Sequence, residues 1–165
     1  QPHTLVDLAA SLAHRNLNLS QVIDSALMLI GTGHAAPLPP EPDAATSAQI
    51  ARRTADLNAY LLQRAAMVLP DSQEGDISHL ASPLTGGGVK VERVEQLFLL
   101  ARESCGDDVE AWPAQAWQHI AAQGKRLVRD GVRLEGEQEN LAELATQARL
   151  FARTRLPLLR ALQVA

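Results

Sequence analysis

The run Ser78-His79-Leu80-Ala81-Ser82-Pro83-Leu84-Thr85-Gly86-Gly87-Gly88-Val89-Lys90-Val91-Glu92-Arg93-Val94-Glu95-Gln96-Leu97-Phe98-Leu99-Leu100-Ala101-Arg102 contains both periodicities from which an architecture can be argued. His79 to Ser82 alternate polar and apolar, the two-residue period of a strand. Pro83 then donates no hydrogen bond, and three glycines can reach a positive φ that strains other residues. Beyond them Val91, Val94, Leu97, Phe98 and Ala101 recur at helical spacing. The pattern predicts a tight strand-to-helix corner that delivers the chain onto an amphipathic helix. A glycine loop before a helix can hold an anion on free N–H groups. A phosphate loop, however, needs Lys and then Ser or Thr after its last glycine, and here Val89 and Lys90 follow Gly88. Ser82, Pro83, Gly86, Gly87 and Gly88 therefore form a candidate interaction loop, with His34 and His79 at the edges of the strands expected to flank it.

Upstream, Thr4 is placed to cap a helix to about Arg15, with Leu5, Leu8, Ala9 and Leu12 on one face. Asn16-Leu17-Asn18 breaks it, and Ser20 is expected to cap a second helix from Gln21 to Ile30, stopped by Gly31 and Gly33. The pair reads as a helix-turn-helix. Ala35 to Leu38 reads as the first strand of a wing, expected to pair with His79 to Ser82. Residues 1–40 thus form a winged-helix-like segment, and the stiff Pro39-Pro40-Glu41-Pro42 connector leads into a helical region over 41–165. That region opens with a helix capped by Thr46 and Gln49, running to about Val68, with Ile50, Thr54, Leu57, Leu61, Ala65 and Val68 inward. Residues 70–76 read as loop.

Downstream, Gly106 closes the central helix and Pro113 marks the start of the next. Its apolar side is expected to run through Trp117, Ile120, Ala121, Leu127 and Val128, with Gly124 a tolerated weak point. Asp130-Gly131 turns the chain before a short extended piece, Val132 to Leu134. A last helix carries Glu137, Glu139 and Glu143 near its start and Arg149, Arg153, Arg155 and Arg160 towards its end, which complements the helix dipole. Pro157 should interrupt it. The expected fold is mainly α, five or six helices with a small β element.

Composition bounds the function. Apolar residues make up 46% of the 165 positions but aromatics only 3%, so the core must be built from Leu, Ala and Val, which favours packed helices. The net charge of −4 gives no footprint for a polyanion. No Lys or Arg occurs from Asn16 to Ala51, and Asp24 sits on the would-be recognition helix, so nucleic acid is not an expected partner. No apolar run reaches the roughly 18 residues of a membrane helix. The single cysteine, Cys105, excludes an internal disulfide and fits a reducing, cytoplasmic setting. The five histidines show no metal-ligand spacing. Ser82 and Ser104 lack a nucleophile elbow, and no glycine fingerprint for a dinucleotide or S-adenosylmethionine core is present. Lys90, Arg93, Lys125, Arg126 and Arg129, with the arginines of the last helix, make a basic face that can dock an acidic partner domain. The start at Gln1-Pro2 reads as an excised fragment.

Leu80-Ala81-Ser82-Pro83-Leu84-Thr85-Gly86-Gly87-Gly88-Val89 followed by Arg93-Val94-Glu95-Gln96-Leu97-Phe98 resembles the C-terminal part of bacterial multidomain methyltransferases that carry a methyltransferase regulatory domain. Leu29-Ile30-Gly31-Thr32-Gly33-His34-Ala35-Ala36-Pro37, Gln123 to Gly131 and Leu156-Pro157-Leu158-Leu159-Arg160-Ala161-Leu162 resemble further pieces of that family in the same order. The resemblance implies a non-catalytic accessory region, regulatory or substrate-recognising, with S-adenosylmethionine bound by an upstream domain of the parent chain and no cofactor here. It implies that upstream domain as partner, with a protein substrate or a second copy as further candidates. The rival readings are a winged-helix transcriptional module and a helical interaction or oligomerisation domain.

Overall fold

Thr4 caps the first helix as its sequence predicts: its hydroxyl accepts from the Asp7 N–H at 3.0 Å and starts α1, Leu5–Leu12. A single 3-10 turn, Ala13–Arg15, follows, and Asn16 reverses the chain at φ 57°, a conformation asparagine tolerates better than most residues. α2, Leu19–Gly31, is capped by Asn18 rather than the expected Ser20. Asn18 Oδ1 accepts from Gln21 N–H while Gln21 Oε1 accepts from Asn18 N–H, a reciprocal capping box. The computed structural model describes residues 3–32, 35, 37–39, 42–67 and 77–165. It divides into two compact units, Gln1–Glu41 and Pro42–Ala165.

The second unit begins with α3, Ala44–Met67, capped by the Asp43 carboxylate, which accepts from Ala45 and Thr46 N–H at 3.0 Å each. The cap thus falls three residues before the predicted Thr46. The buried face matches the expected one at Ala65 but differs elsewhere: Asn58 and Leu62 are buried, whereas Ile50 and Leu57 stand exposed. The helix is turned by the hydrogen bonds of Asn58, a polar residue not among those expected to face inward. Val68 and residues 70–76, called inward-facing and loop from sequence, lie outside the described residues.

The central run does not form a strand-to-helix corner. β1, His79–Ala81, pairs antiparallel with β2, Gly88–Lys90, in the register His79 to Lys90, Leu80 to Val89 and Ala81 to Gly88. The glycines therefore close a hairpin, and Val91, buried as predicted, comes before the helix, its N–H donating to Ser78 O. Ala35, Pro37 and Leu38 form no strand, and among the described residues the only strand paired with β1 is β2. The expected wing pairing is thereby corrected: a short hairpin connection costs far less closure entropy than a strand more than 40 residues away.

α4, Arg93–Cys105, ends at Gly106, which takes φ +63°. α5, Trp112–Ala122, carries Pro113 in its first turn, where a missing N–H costs nothing. It stops at Gln123, because Gly124 adopts φ +66° and ends the helix instead of being carried within it. Val128 is accordingly exposed on β3, Val128–Arg129, paired with β4, Val132–Arg133. Asp130 and Gly131 between them take φ 53° and 79°, the left-handed pair of a two-residue hairpin. α6, Glu137–Thr154, gives way to α7, Leu156–Ala161, with Pro157 in the first turn of α7. The described residues thus form seven α-helices and two small hairpins, a mainly α fold.

One core serves the second unit. Phe98, Trp112 and Phe151 form a triangle with ring centroids 5.8 to 6.3 Å apart. Leu80, Leu144 and Leu159, fully buried, surround them together with Val91. Trp112 Nε1 donates to Gly106 O at 3.0 Å, so the one polar atom of that indole is satisfied.

Candidate functional site

Ser82, Pro83, Gly86, Gly87 and Gly88, with His79, come together in the β1–β2 hairpin; His34 lies outside the described residues. The turn is closed by its own backbone. Ser82 N–H donates to Gly87 O at 2.9 Å and Gly86 N–H to Ser82 O at 3.0 Å. Thr85 N–H donates to Ser82 Oγ and Gly87 N–H to Thr85 Oγ1, both at 3.3 Å. The amides of Thr85, Gly86 and Gly87 are therefore spent inside the turn, and no nest of free N–H groups faces a ligand. Gly86 alone of the three glycines takes a positive φ, +66°. Gly88 is constrained differently: a Cβ there would stand 3.1 Å from His79 Cβ. The His79 ring is exposed, with Nδ1 2.9 Å from Ser78 Oγ.

Ser82 itself is buried and points inward, its hydroxyl donating to Leu162 O at 2.8 Å. On the neighbouring residue, Asn58 of α3 grips both backbone atoms of Ala81, and its Nδ2 also donates to Val164 O at 3.3 Å. Two more buried amides do comparable work. Gln96 Nε2 donates to Ile77 O and Val91 O, leaving Gln96 Oε1 buried without a partner. Asn140 accepts from Leu127 N–H and donates to Leu134 O and Gly136 O, holding the second hairpin to α6. Pattern reading missed all three. A signal was nevertheless present: Asn58 with Leu62 and Ala65, and Asn140 with Leu144, Ala148 and Phe151, fall at helical spacing, so each asparagine sits within an apolar stripe.

Beside the hairpin anchor lies an open groove of about 660 Å³ between α3, the end of α4 and residues 160–165. Ala51, Ala55, Ala59, Leu62 and Leu99 floor it, and Arg102, Asp107 and Arg160 stand on its rim. Arg102 Nε and Arg160 Nη2 both donate to Asp107 Oδ1 at 2.6 Å, and these two hydrogen bonds hold the Asp107 carboxyl below its ordinary range. Arg149 donates through Nε and Nη2 to the two oxygens of Glu110, and Arg155 reaches Glu95 Oε1 and Lys90 O. Lys90 pairs with Glu92, Arg129 with Glu143, and Arg126 lies 5.1 Å over the Trp117 ring. Much of the basic face anticipated from sequence is thus engaged within the chain. Among the described residues no three His, Cys, Asp or Glu side chains converge as a metal-ligand group, and no helix is long and apolar enough to cross a membrane.

Fold and site together describe a helical module whose buried amides fasten two hairpins to one core. No protein-family model matches the chain, and no solved structure matches it. It is 32% identical over 158 residues, 96% of its own length, to an uncharacterized protein of Synechocystis sp.. The chain spans 29% of that protein.

Proposed function

We propose that this chain is a non-catalytic accessory region, regulatory or substrate-recognising, of a larger S-adenosylmethionine-dependent methyltransferase of the cytoplasm. The alignment of nearly the whole chain with 29% of a longer protein supports its being one region of a larger polypeptide, and the methyltransferase reading rests on the resemblance of the Leu80–Phe98 run and its companions to the C-terminal part of such enzymes. In this division of labour the cofactor binds upstream, and the second unit lends a rigid surface. Its contribution is positional: Ser82 and Asn58 fix the hairpin against α3 and the chain near residue 164, so a partner domain meets an inflexible edge. Calorimetry of S-adenosylmethionine against the isolated 165 residues and against the longer polypeptide containing them tests it. Binding by the longer polypeptide alone is expected; saturable micromolar binding by the isolated chain would sink the reading.

A second reading, the winged-helix module, is favoured by one observation. α4, α5 and the β3–β4 hairpin follow one another in the order helix, helix, wing, in the second unit rather than in residues 1–40. α5, in the place of a recognition helix, exposes Ala114, Gln118 and Ala122 and contains no Lys or Arg. Phosphate neutralisation needs such cations, so a winged helix of this composition serves protein contact. A low-salt band shift with duplex DNA is expected to show no retardation.

A further inference from the structure

The described helices of the first unit bury little of their own surface. α1 has 8 residues and α2 has 13, lengths at which isolated helices are marginal in water and depend on tertiary packing. Yet α1 buries none of its residues and α2 buries only Val22. The last turn of α2 is apolar around its circumference: Leu27 is 62% exposed, Met28 71%, Leu29 49% and Ile30 37%. Leu5 and Val6 of α1 are exposed as well. A helix apolar on all sides is one that the assembled protein buries, and contiguous apolar surface of this kind marks an interaction site. Charge offers little to discriminate partners, since Asp7, Arg15 and Asp24 are the only Asp, Glu, Lys or Arg of residues 3–32. The partner is therefore selected by apolar fit and by proximity.

We propose that α1–α2 is a docking hairpin covered by the part of the longer polypeptide that lies outside these 165 residues. This rests on the reading of the chain as one region of a larger protein. The match that covers 96% of this chain fills only 29% of the Synechocystis protein, so most of that relative lies outside the matched region. Proximity favours the same occupant. A segment joined through a short linker meets its own polypeptide at an effective concentration of order millimolar, which a free second copy rarely reaches.

Hydrogen exchange of the α2 amides, read in the longer polypeptide and in the isolated chain, tests the proposal. Protection of Leu27–Ile30 is expected to rise at least about tenfold in the longer polypeptide, and Met28→Asp or Leu27→Asp is expected to remove that rise while leaving the exchange of α4 and α6 unchanged. Equal protection in the isolated monomer would place the cover within the 165 residues and overturn the proposal. Protection that grows with the concentration of the isolated chain would assign the cover to a second copy and overturn it too. Rapid exchange in both forms, or a gene encoding nothing beyond these residues, would likewise refute it. None of these readouts depends on methyl transfer, so the docking hairpin and the methyltransferase reading can fail separately.

Discussion

Asn58 and Ala81 are joined as two strands would be: Asn58 Oδ1 accepts from Ala81 N–H at 2.8 Å, and Asn58 Nδ2 donates to Ala81 O at 2.9 Å. A side-chain amide on α3 thereby completes the free edge of β1. Replacing it by Leu strands the N–H and C=O of Ala81 beside an apolar side chain, at about 1–3 kcal/mol for each buried group left unpaired. Asn58→Leu is expected to lower stability by about 2–4 kcal/mol in urea unfolding.

Asn58→Asp separates geometry from charge. The buried carboxyl can donate to Ala81 O only when protonated, and burial raises its pKa in the folded state above the unfolded value of about 3.9. A raised folded pKa means that stability is greatest at low pH and falls as pH climbs from that unfolded value through the folded one. Relative to wild type, Asn58→Asp is therefore expected to unfold more easily at pH 7 than at pH 4. A pH-independent difference would contradict this.

The three consecutive glycines are predicted to behave unequally. Gly86→Ala forces a side chain into φ +66° and is expected to cost about 1–2 kcal/mol. Gly87→Ala, which meets only Thr85 Oγ1 at 3.9 Å, should melt with the wild type. Gly88→Ala should fall between them, because its Cβ crowds His79 Cβ at 3.1 Å. Thermal melts rank the three, and a Gly87 variant less stable than the Gly86 variant would contradict the turn geometry.

Asp107 makes the stability of the groove rim acid-sensitive. Hydrogen bonds from Arg102 and Arg160 lower its folded pKa below the ordinary 3.8. A lowered pKa contributes stability that is present above the unfolded value and lost as pH falls through the folded one. Asp107→Asn is expected to be less stable than wild type at pH 6, with the gap closing below about pH 3.8. Because the carboxylate is well exposed, salt should shrink the gap at every pH.

Trp112, packed against Phe98 and Phe151, is the largest of the fully buried side chains. Trp112→Ala is expected to cost about 3–5 kcal/mol. Trp112→Phe should cost less while still losing the bond to Gly106 O, a difference that denaturant midpoints will resolve.

The helices were legible because their signals are local. Thr4, Pro113, Gly106, Asp130-Gly131 and the acidic-to-basic gradient of the last helix each act within a turn or two of where they stand. The β1–β2 hairpin was half legible. The alternation at His79 was visible, but Gly88-Val89-Lys90 read as the tail of a glycine loop because a three-residue strand shows too few alternations to be distinguished. The rotation of α3 was hidden for another reason. It is set by where Asn58 finds backbone partners, 23 and 106 positions away, and no local pattern encodes a partner at that distance. Ser82 illustrates the same limit: its residue type was singled out, yet its contact with Leu162 is a property of the assembled unit.

The contact of Asn58 with Val164 closes 106 positions of chain, which fixes an order of events during synthesis. At about 5–20 residues per second, roughly 5 to 20 s separate the making of Asn58 from the making of Val164. Over that interval α3 can form, but its buried amide lacks one acceptor, and Ser82, 80 positions before Leu162, lacks the carbonyl it will donate to. Leu62 and Leu80, buried in the finished unit, belong meanwhile to a nascent chain whose anchors are not yet made. These two anchors of the second unit are thus completed only after Leu162 and Val164 have been made, and a translation product interrupted before Leu162 is a natural client for chaperones and proteases.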